Sequence, residues 1–261
     1  MKEKAYLFGP FVGSIDWEFY RFAPLAIYLK TIDPDTKIIV LTRSSRFDLY
    51  GLHANFLVNL KIPNDIIIDQ NCFKSESIGI SKYYKLADVF RKKYEKKYEI
   101  KGHFYPNIKQ YNYRLKWQFP RSMMKYDFKP RKGNEILLDK FIDTTSLVLV
   151  DFSWIEDDHL KDNILNTLNI NNIDYINYEN VVKILDEKID NKYNTVFGVS
   201  LLLLKQMRLL IGNIGESPLT KLALLIKTPI ITVNEKLSED SISLLNPFKT
   251  QVRFYKTGEL K

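Results

Sequence analysis

The sequence predicts an α/β fold in two halves, each built on a parallel sheet with helices on its faces. Three observations carry that expectation. Short apolar runs alternate with helix-length segments, the pattern of parallel strands joined by crossover helices. Each half opens as strand, loop, helix. The chain of 261 residues, 45% hydrophobic and 27% charged, has a globular composition and length enough for two small domains of about 100–150 residues each.

In the first half Ala5–Phe8 is a short buried strand ended by Gly9-Pro10, and the loop continues through Gly13-Ser14. An apolar helix is expected from Asp16 to Leu29, with Pro24 at or near a kink because proline lacks the backbone donor. Asp33-Pro34-Asp35 makes a turn. Lys37–Leu41 is a second strand, with Thr42-Arg43 at its carboxyl end, and Ile66–Ile68 a third. From Lys82 to Tyr98, Tyr84, Leu86, Ala87, Phe90, Tyr94 and Tyr98 fall mostly at helical spacing. Residues 101–132 have no clean period and contain Pro106, Pro120 and Pro130. They read as loop and short elements ending in a linker near Lys129–Asn134. The domain boundaries expected are therefore 1–135 and 136–261.

The second half begins with Ser146–Val150, the strongest strand in the chain, followed by Asp151-Phe-Ser-Trp154. His159–Leu168 is expected as helix, Ile173–Tyr178 as strand, Val181–Ile189 and Gly198–Met207 as helices, and Leu209–Ile211 as strand. The turn Gly212-Asn213-Ile214-Gly215-Glu216-Ser217-Pro218 opens a helix through Ile226. Lys227-Thr228-Pro229 breaks it, and Ile230–Val233 is expected as the last strand. The halves form a coarse structural repeat without a sequence repeat.

Composition narrows the function classes. One cysteine, Cys72, excludes an internal disulfide framework and a cysteine-rich zinc site. His53, His103 and His159 are scattered and leave little for a histidine metal centre. The longest apolar stretches, Leu201–Leu204 and Leu222–Ile226, are interrupted by Lys205, Arg208 and Lys227; a spanning helix needs about 20 apolar residues. A soluble cytoplasmic protein is expected. The net charge of +8 is unevenly placed: Lys82–Lys132 holds 16 Lys/Arg against 4 Asp/Glu, and 13 of the 35 aromatics. Cations interleaved with rings suit a nucleic-acid track, through counterion release and stacking. The alternatives are a solvated helix face with buried tyrosines, and docking onto an anionic membrane surface.

In open parallel sheets ligands bind off the carboxyl ends of the strands, often at helix N-termini that attract anions. Three loops qualify: Gly9–Asp16, Phe152–Trp154 and Gly212–Thr220. None is a strict nucleotide fingerprint, since Gly9-x-x-x-Gly13-Ser14 lacks the P-loop lysine and G-x-G-x-x-G is missing. Each glycine loop can equally be a tight turn.

The stretch Leu209–Ile231 resembles the carboxyl-half signature of two-domain GT-B glycosyltransferases, particularly the heptosyltransferase family. Gly212, Asn213, Ser217, Leu222, Ala223, Thr228 and Pro229 match; Lys221 stands where that family has histidine, and the central glycine is missing. The opening, Phe8-Gly-Pro-Phe-Val-Gly-Ser-Ile-Asp-Trp-Glu-Phe, is similar to the start of GT-B-like proteins of phage and surface-polysaccharide gene sets. The resemblance implies a GT-B-like fold of two Rossmann-like domains with parallel sheets facing a cleft. The first would bind acceptor and the second a nucleotide-diphosphate sugar, with no metal.

On that resemblance the donor-binding residues are Ser153, Gly212, Asn213, Gly215, Glu216, Ser217, Thr220 and Lys221. Asp16 and Glu18 are the candidates for the base that deprotonates the acceptor hydroxyl. Asp16 is equally an N-cap, and Glu18 a favourable first-turn acid. Acceptor or phosphate contacts fall to Gly13, Ser14, Arg43, Arg46, Lys92, Lys93, Arg114, Lys116, Trp117 and Arg121. The expected activity is transfer of a sugar to a hydroxyl of a polyanionic acceptor, with hydroxymethylated bases of phage DNA favoured, flipped out to reach the site. The alternatives are a lipopolysaccharide or capsule transferase of the heptosyltransferase type, and a non-catalytic nucleotide- or nucleic-acid-binding module.

Weaker signals are read as structural. Asp33-x-Asp35-Thr36 precedes a strand where a phosphatase motif would follow one. Glu156-Asp157-Asp158 starts a helix more readily than it binds metal, Cys72 lacks an arginine loop, and His103 is expected at the surface.

Overall fold

The computed structural model describes residues 2–12, 15, 18–61, 78–106, 126–190, 194–214, 217–233, 246 and 249–255. The chain divides into two compact units, Met1–Lys129 and Pro130–Lys261. In the first, β1 (Glu3–Phe8), β2 (Lys37–Thr42), β3 (Phe56–Asn59) and β4 (Tyr98–Phe104) form a sheet of order β3-β2-β1-β4. All of its pairings are parallel. Ile38, Ile39, Val40 and Leu41 are fully buried, as a central parallel strand covered on both faces requires.

Two of these strands depart from the sequence reading. β3 lies at Phe56–Asn59, while the expected strand Ile66–Ile68 falls outside the described residues. β4 occupies Tyr98–Phe104, where helix end and loop were expected. Its pattern, buried at Tyr98 and half-exposed beyond, is that of a terminal strand, so charge at Glu99 and Lys101 is tolerated. Before it, α2 (Ile78–Glu95) crosses over from β3, burying Tyr83 and Ala87.

The kink expected at Pro24 is a change of helix type. Glu18–Phe22 is one π-helical turn, and α1 (Ala23–Ile32) follows with Pro24 in its first turn. There the missing N–H costs nothing, and the wide turn relieves the ring's clash with the carbonyl four residues back. Gly9 closes β1 at φ +89, with its backbone so near the Leu41 carbonyl that a Cβ would collide with it.

The second unit opens with α3 (Lys132–Phe141), which occupies part of the expected linker. β5 (Val148–Val150), α4 (Asp158–Ile170), β6 (Tyr175–Asn177), α5 (Tyr178–Asp186), α6 (Val196–Gln206), β7 (Leu209–Gly212), α7 (Pro218–Ile226) and β8 (Ile230–Thr232) follow. A further strand, β9 (Val252–Phe254), pairs parallel with β8, so Ile230–Thr232 is not the last. The sheet order is β6-β5-β7-β8-β9, parallel throughout. Side-chain caps start α4 to α7: Asp157 accepts from His159 and Leu160, Asn177 from Glu179, Thr195 from Gly198 and Ser217 from Leu219 and Thr220. α3 packs on α6 at Gly198, where a Cβ would run into the Asn134 side chain, and Asn134 Oδ1 accepts from the Thr195 amide at 3.0 Å. Val150, Phe152, Ile155, Ile164, Leu168, Ile211 and Val233 form a core cluster behind the strand ends.

Candidate functional site

In the second sheet, β5 is flanked by β6 on one side and β7 on the other. The chain leaves β5 in one direction and returns on the opposite side, so the topological switch point lies between β5 and β7, where open α/β sheets take their ligands. Two of the stretches singled out in the sequence, Phe152–Trp154 and Gly212–Thr220, follow these strands.

They are tied together. The Asp151 carboxylate, 1% exposed, accepts the Ser217 hydroxyl through Oδ2 and the Ser153 amide through Oδ1. Asn213 Nδ2 donates to the Trp154 carbonyl at 2.9 Å, and the Ile214 amide donates to Thr232 Oγ1 at 3.2 Å. Gly212 ends β7, its carbonyl accepting the Val233 amide. Asp151 is a residue that sequence reasoning passed over. Its signal was position: an acid directly after the most apolar strand, where a buried carboxylate needs donors from a neighbouring loop.

The expected donor-binding residues separate into two groups. Ser217 and Thr220 are fully buried. The Ser217 hydroxyl takes the Leu219 and Thr220 amides, and the Thr220 hydroxyl donates to the carbonyls of Asn213 and Ser217. These side chains build the turn, and the first amides of α7 are capped from within rather than left open. Ser153 is exposed, and Asn213 and Lys221 are half-buried, so these three reach the surface of the loop pair. Trp154, 43% exposed beside them, presents an indole face on a loop anchored by buried Phe152 and Ile155. Gly215 and Glu216 lie outside the described residues.

In the first unit Asp16, Gly13 and Ser14 also lie outside them. Glu18 is fully buried: Oε1 accepts Thr42 Oγ1 at 2.7 Å and Tyr50 OH at 3.0 Å, and Oε2 meets Arg46 NH1 at 2.7 Å. Burial pushes its carboxyl above the ordinary range, against the pull of Arg46 and the two hydroxyls. Both oxygens are thus occupied, and the side chain has no exposed surface. Arg46, 8% exposed, is the ionic partner of Glu18. Arg43 is exposed at the end of β2. On α2, Lys92 and Lys93 are exposed; Lys92 pairs with Asp88 at 3.0 Å, and Lys93 sits 5.8 Å from the Tyr94 ring. Tyr83 and Tyr98 are buried, which removes them as stacking faces. Arg114, Lys116, Trp117 and Arg121 fall outside the described residues. His103, expected at the surface, is half-buried with Nε2 2.7 Å from the Gly9 carbonyl.

No family model matches the sequence, and no curated protein matches it. Among solved structures the chain is similar to the crystal structure of the glycosyl transferase family 9 from Veillonella parvula DSM 2008. The TM-score is 0.52 at 10% sequence identity, over 97% of this chain and 86% of that chain. At that identity the likeness is one of fold. The protein has an α/β fold with two parallel, Rossmann-like sheets, as in a GT-B-like glycosyltransferase. Among the described residues no helix is long and apolar enough to cross a membrane.

Proposed function

We propose that the protein is a glycosyltransferase that moves a sugar from a nucleotide-diphosphate sugar to a hydroxyl of a glycan, as a lipopolysaccharide or capsule transferase of the heptosyltransferase type does. One observation carries the reading: the loops after β5 and β7 are cross-tied by Asp151, Ser217 and Asn213 at the switch point of the second sheet. Loops bonded to each other in this way supply polar groups where a ligand is expected. The fold likeness to a glycosyltransferase supports the same class.

In this reading the donor's diphosphate lies against Asn213, Ser153 and Lys221, at the positive end of α7. As the bond between the sugar carbon and the diphosphate oxygen breaks, negative charge grows on the phosphate, and the Lys221 cation and the α7 dipole stabilise it without a metal. The Trp154 ring offers a face for the base or the sugar. Asp16 is the base that takes the acceptor proton; the buried Glu18–Arg46 pair anchors the chain two residues further on. Hydroxymethylated DNA as acceptor finds no support in the comparisons.

The test is calorimetric titration of the purified chain with a panel of nucleoside diphosphates and their sugars, followed by mass spectrometry of acceptor glycans incubated with the best binder. Micromolar binding, weakened roughly tenfold by Lys221→Ala, is expected; removal of one charge-assisted contact is worth about 1.5–3 kcal/mol. A chain that binds no nucleotide sugar is not a transferase of this kind. Retention of duplex DNA in a gel at low salt, lost at moderate salt, would return the acceptor to nucleic acid.

A further inference from the structure

α2 turns one face inward and the other to solvent. Tyr83 and Ala87 are buried, and Leu86, Phe90 and Tyr94 are half-buried. Lys82, Lys85, Val89, Lys92 and Lys93 are all exposed. At about 3.6 residues per turn these five positions share an arc of about 100° and run about 17 Å along the helix. Lys96 and Lys97, in the turn that follows, are exposed as well and prolong the row. The two acids of the helix lie on one flank of the row, where Glu95 takes Arg91 at 2.7 Å and Asp88 reaches Lys92 at 3.0 Å. Between Lys82 and Lys97 there are seven basic residues and two acidic ones, so the face stays strongly positive with those pairs formed.

A helix face that is merely solvated mixes charges of both signs. This one does not, and between Lys85 and Lys92 it carries Val89, 61% exposed. The charge calls for a polyanion, and the side chains choose which. Nucleic acid is gripped through arginine forks and stacked rings. Here the arginine of the helix, Arg91, is engaged by Glu95 on the flank, and Tyr83 and Tyr98 are buried. An anionic bilayer asks for less. Its headgroups are mobile, so lysines on flexible stems gain their attraction without a fixed register. An apolar side chain amid the lysines enters the boundary between headgroups and acyl chains, where exposure to water no longer costs it anything.

We infer that the solvent face of α2 docks on an anionic phospholipid bilayer, Lys82, Lys85, Lys92 and Lys93 by charge and Val89 by shallow insertion. The inference goes beyond the transferase reading and does not rest on it, since lipid binding is measured without nucleotide or turnover.

The experiment is flotation of the full chain with vesicles of phosphatidylcholine alone, and of phosphatidylcholine and phosphatidylglycerol in equal parts, over a range of salt. The chain should float with the anionic vesicles at low salt, stay behind with the neutral ones, and be released as salt rises. Each lysine beside an anionic leaflet is worth roughly a fivefold change in partition, so Lys85→Gln combined with Lys93→Gln should weaken binding about 25-fold. Lys140→Gln combined with Lys183→Gln removes the same charge from exposed positions of the second unit and should leave flotation unchanged. Val89→Ser should weaken flotation and keep its salt dependence. Absence of flotation with anionic vesicles overturns the inference. So does flotation undiminished in the α2 pair, or equally diminished in the second-unit pair, which would make the effect one of net charge. Flotation undiminished in Val89→Ser overturns the insertion. Duplex DNA retained in a gel only while Lys85 and Lys93 are present, without flotation, would give the face to nucleic acid. Nucleotide titration of the same samples keeps the claims apart: a chain that floats but binds no nucleotide sugar loses the transferase reading alone.

Discussion

Glu18 is buried beside Arg46 where water cannot help it, and its neighbours explain why it survives there. Thr42, Tyr50 and Arg46 satisfy the carboxylate from three directions. Glu18→Gln leaves the Arg46 cation buried without its countercharge and should lower unfolding free energy by about 3 kcal/mol, whereas an apolar replacement of both partners should restore most of it. Urea denaturation of the single and double variants measures both. Asp33 is the opposite case, a carboxylate held at the surface. Hydrogen bonds from Lys101 first, then from Thr36 and Tyr6, bring its pKa down from 3.8 to about 2. Its folded value lies below its unfolded one, so its contribution is complete above about pH 4 and is lost as pH falls through about 2. The urea midpoint should therefore drop over that interval in the native chain and drop less in Asp33→Asn. Neither partnership was legible in the sequence: Glu18 and Arg46 are 28 positions apart, Asp33 and Lys101 are 68, and only the sheet brings them together.

Elements were easiest to read where apolar runs are dense. β2, β5, β7 and α7 lie close to their expected places because their patterns fit only one environment. β3 and β4 were hidden for a physical reason. Phe56–Asn59 and Tyr98–Phe104 flank the sheet, are only partly covered, and carry polar residues at positions a central strand would fill with valine or isoleucine. The switch-point loops were found through their glycines and polar residues, but their internal bonding was not, because self-capping by Ser217 depends on Asp151 in another loop. The end of α7 gives a test at this scale. Lys227 adopts φ +67 at the position where helices favour glycine, with Thr228 N–H returning to the Ala223 carbonyl. Lys227→Gly removes that strain and should raise stability by about 0.5–1 kcal/mol, read as an increase in melting temperature.

At the scale of the whole molecule the chain is two compact units meeting in sequence at Lys129 and Pro130. The hydrogen bonds of Tyr126 to the Leu49 carbonyl, and of Leu52 to the Lys129 carbonyl, belong wholly to the first unit. Separate expression of 1–129 and 130–261 should thus give two fragments that each unfold cooperatively in calorimetry. On the proposed reading the second retains nucleotide binding; a fragment without a melting transition would show that the units depend on each other. The likeness between the halves, so visible in the alternation of strands and helices, stops at their winding. The first sheet runs 3-2-1-4 among the described residues, while the second, counted from its own first strand, runs 2-1-3-4-5. A protein engineered by doubling either half would therefore carry one strand order twice and lack the other.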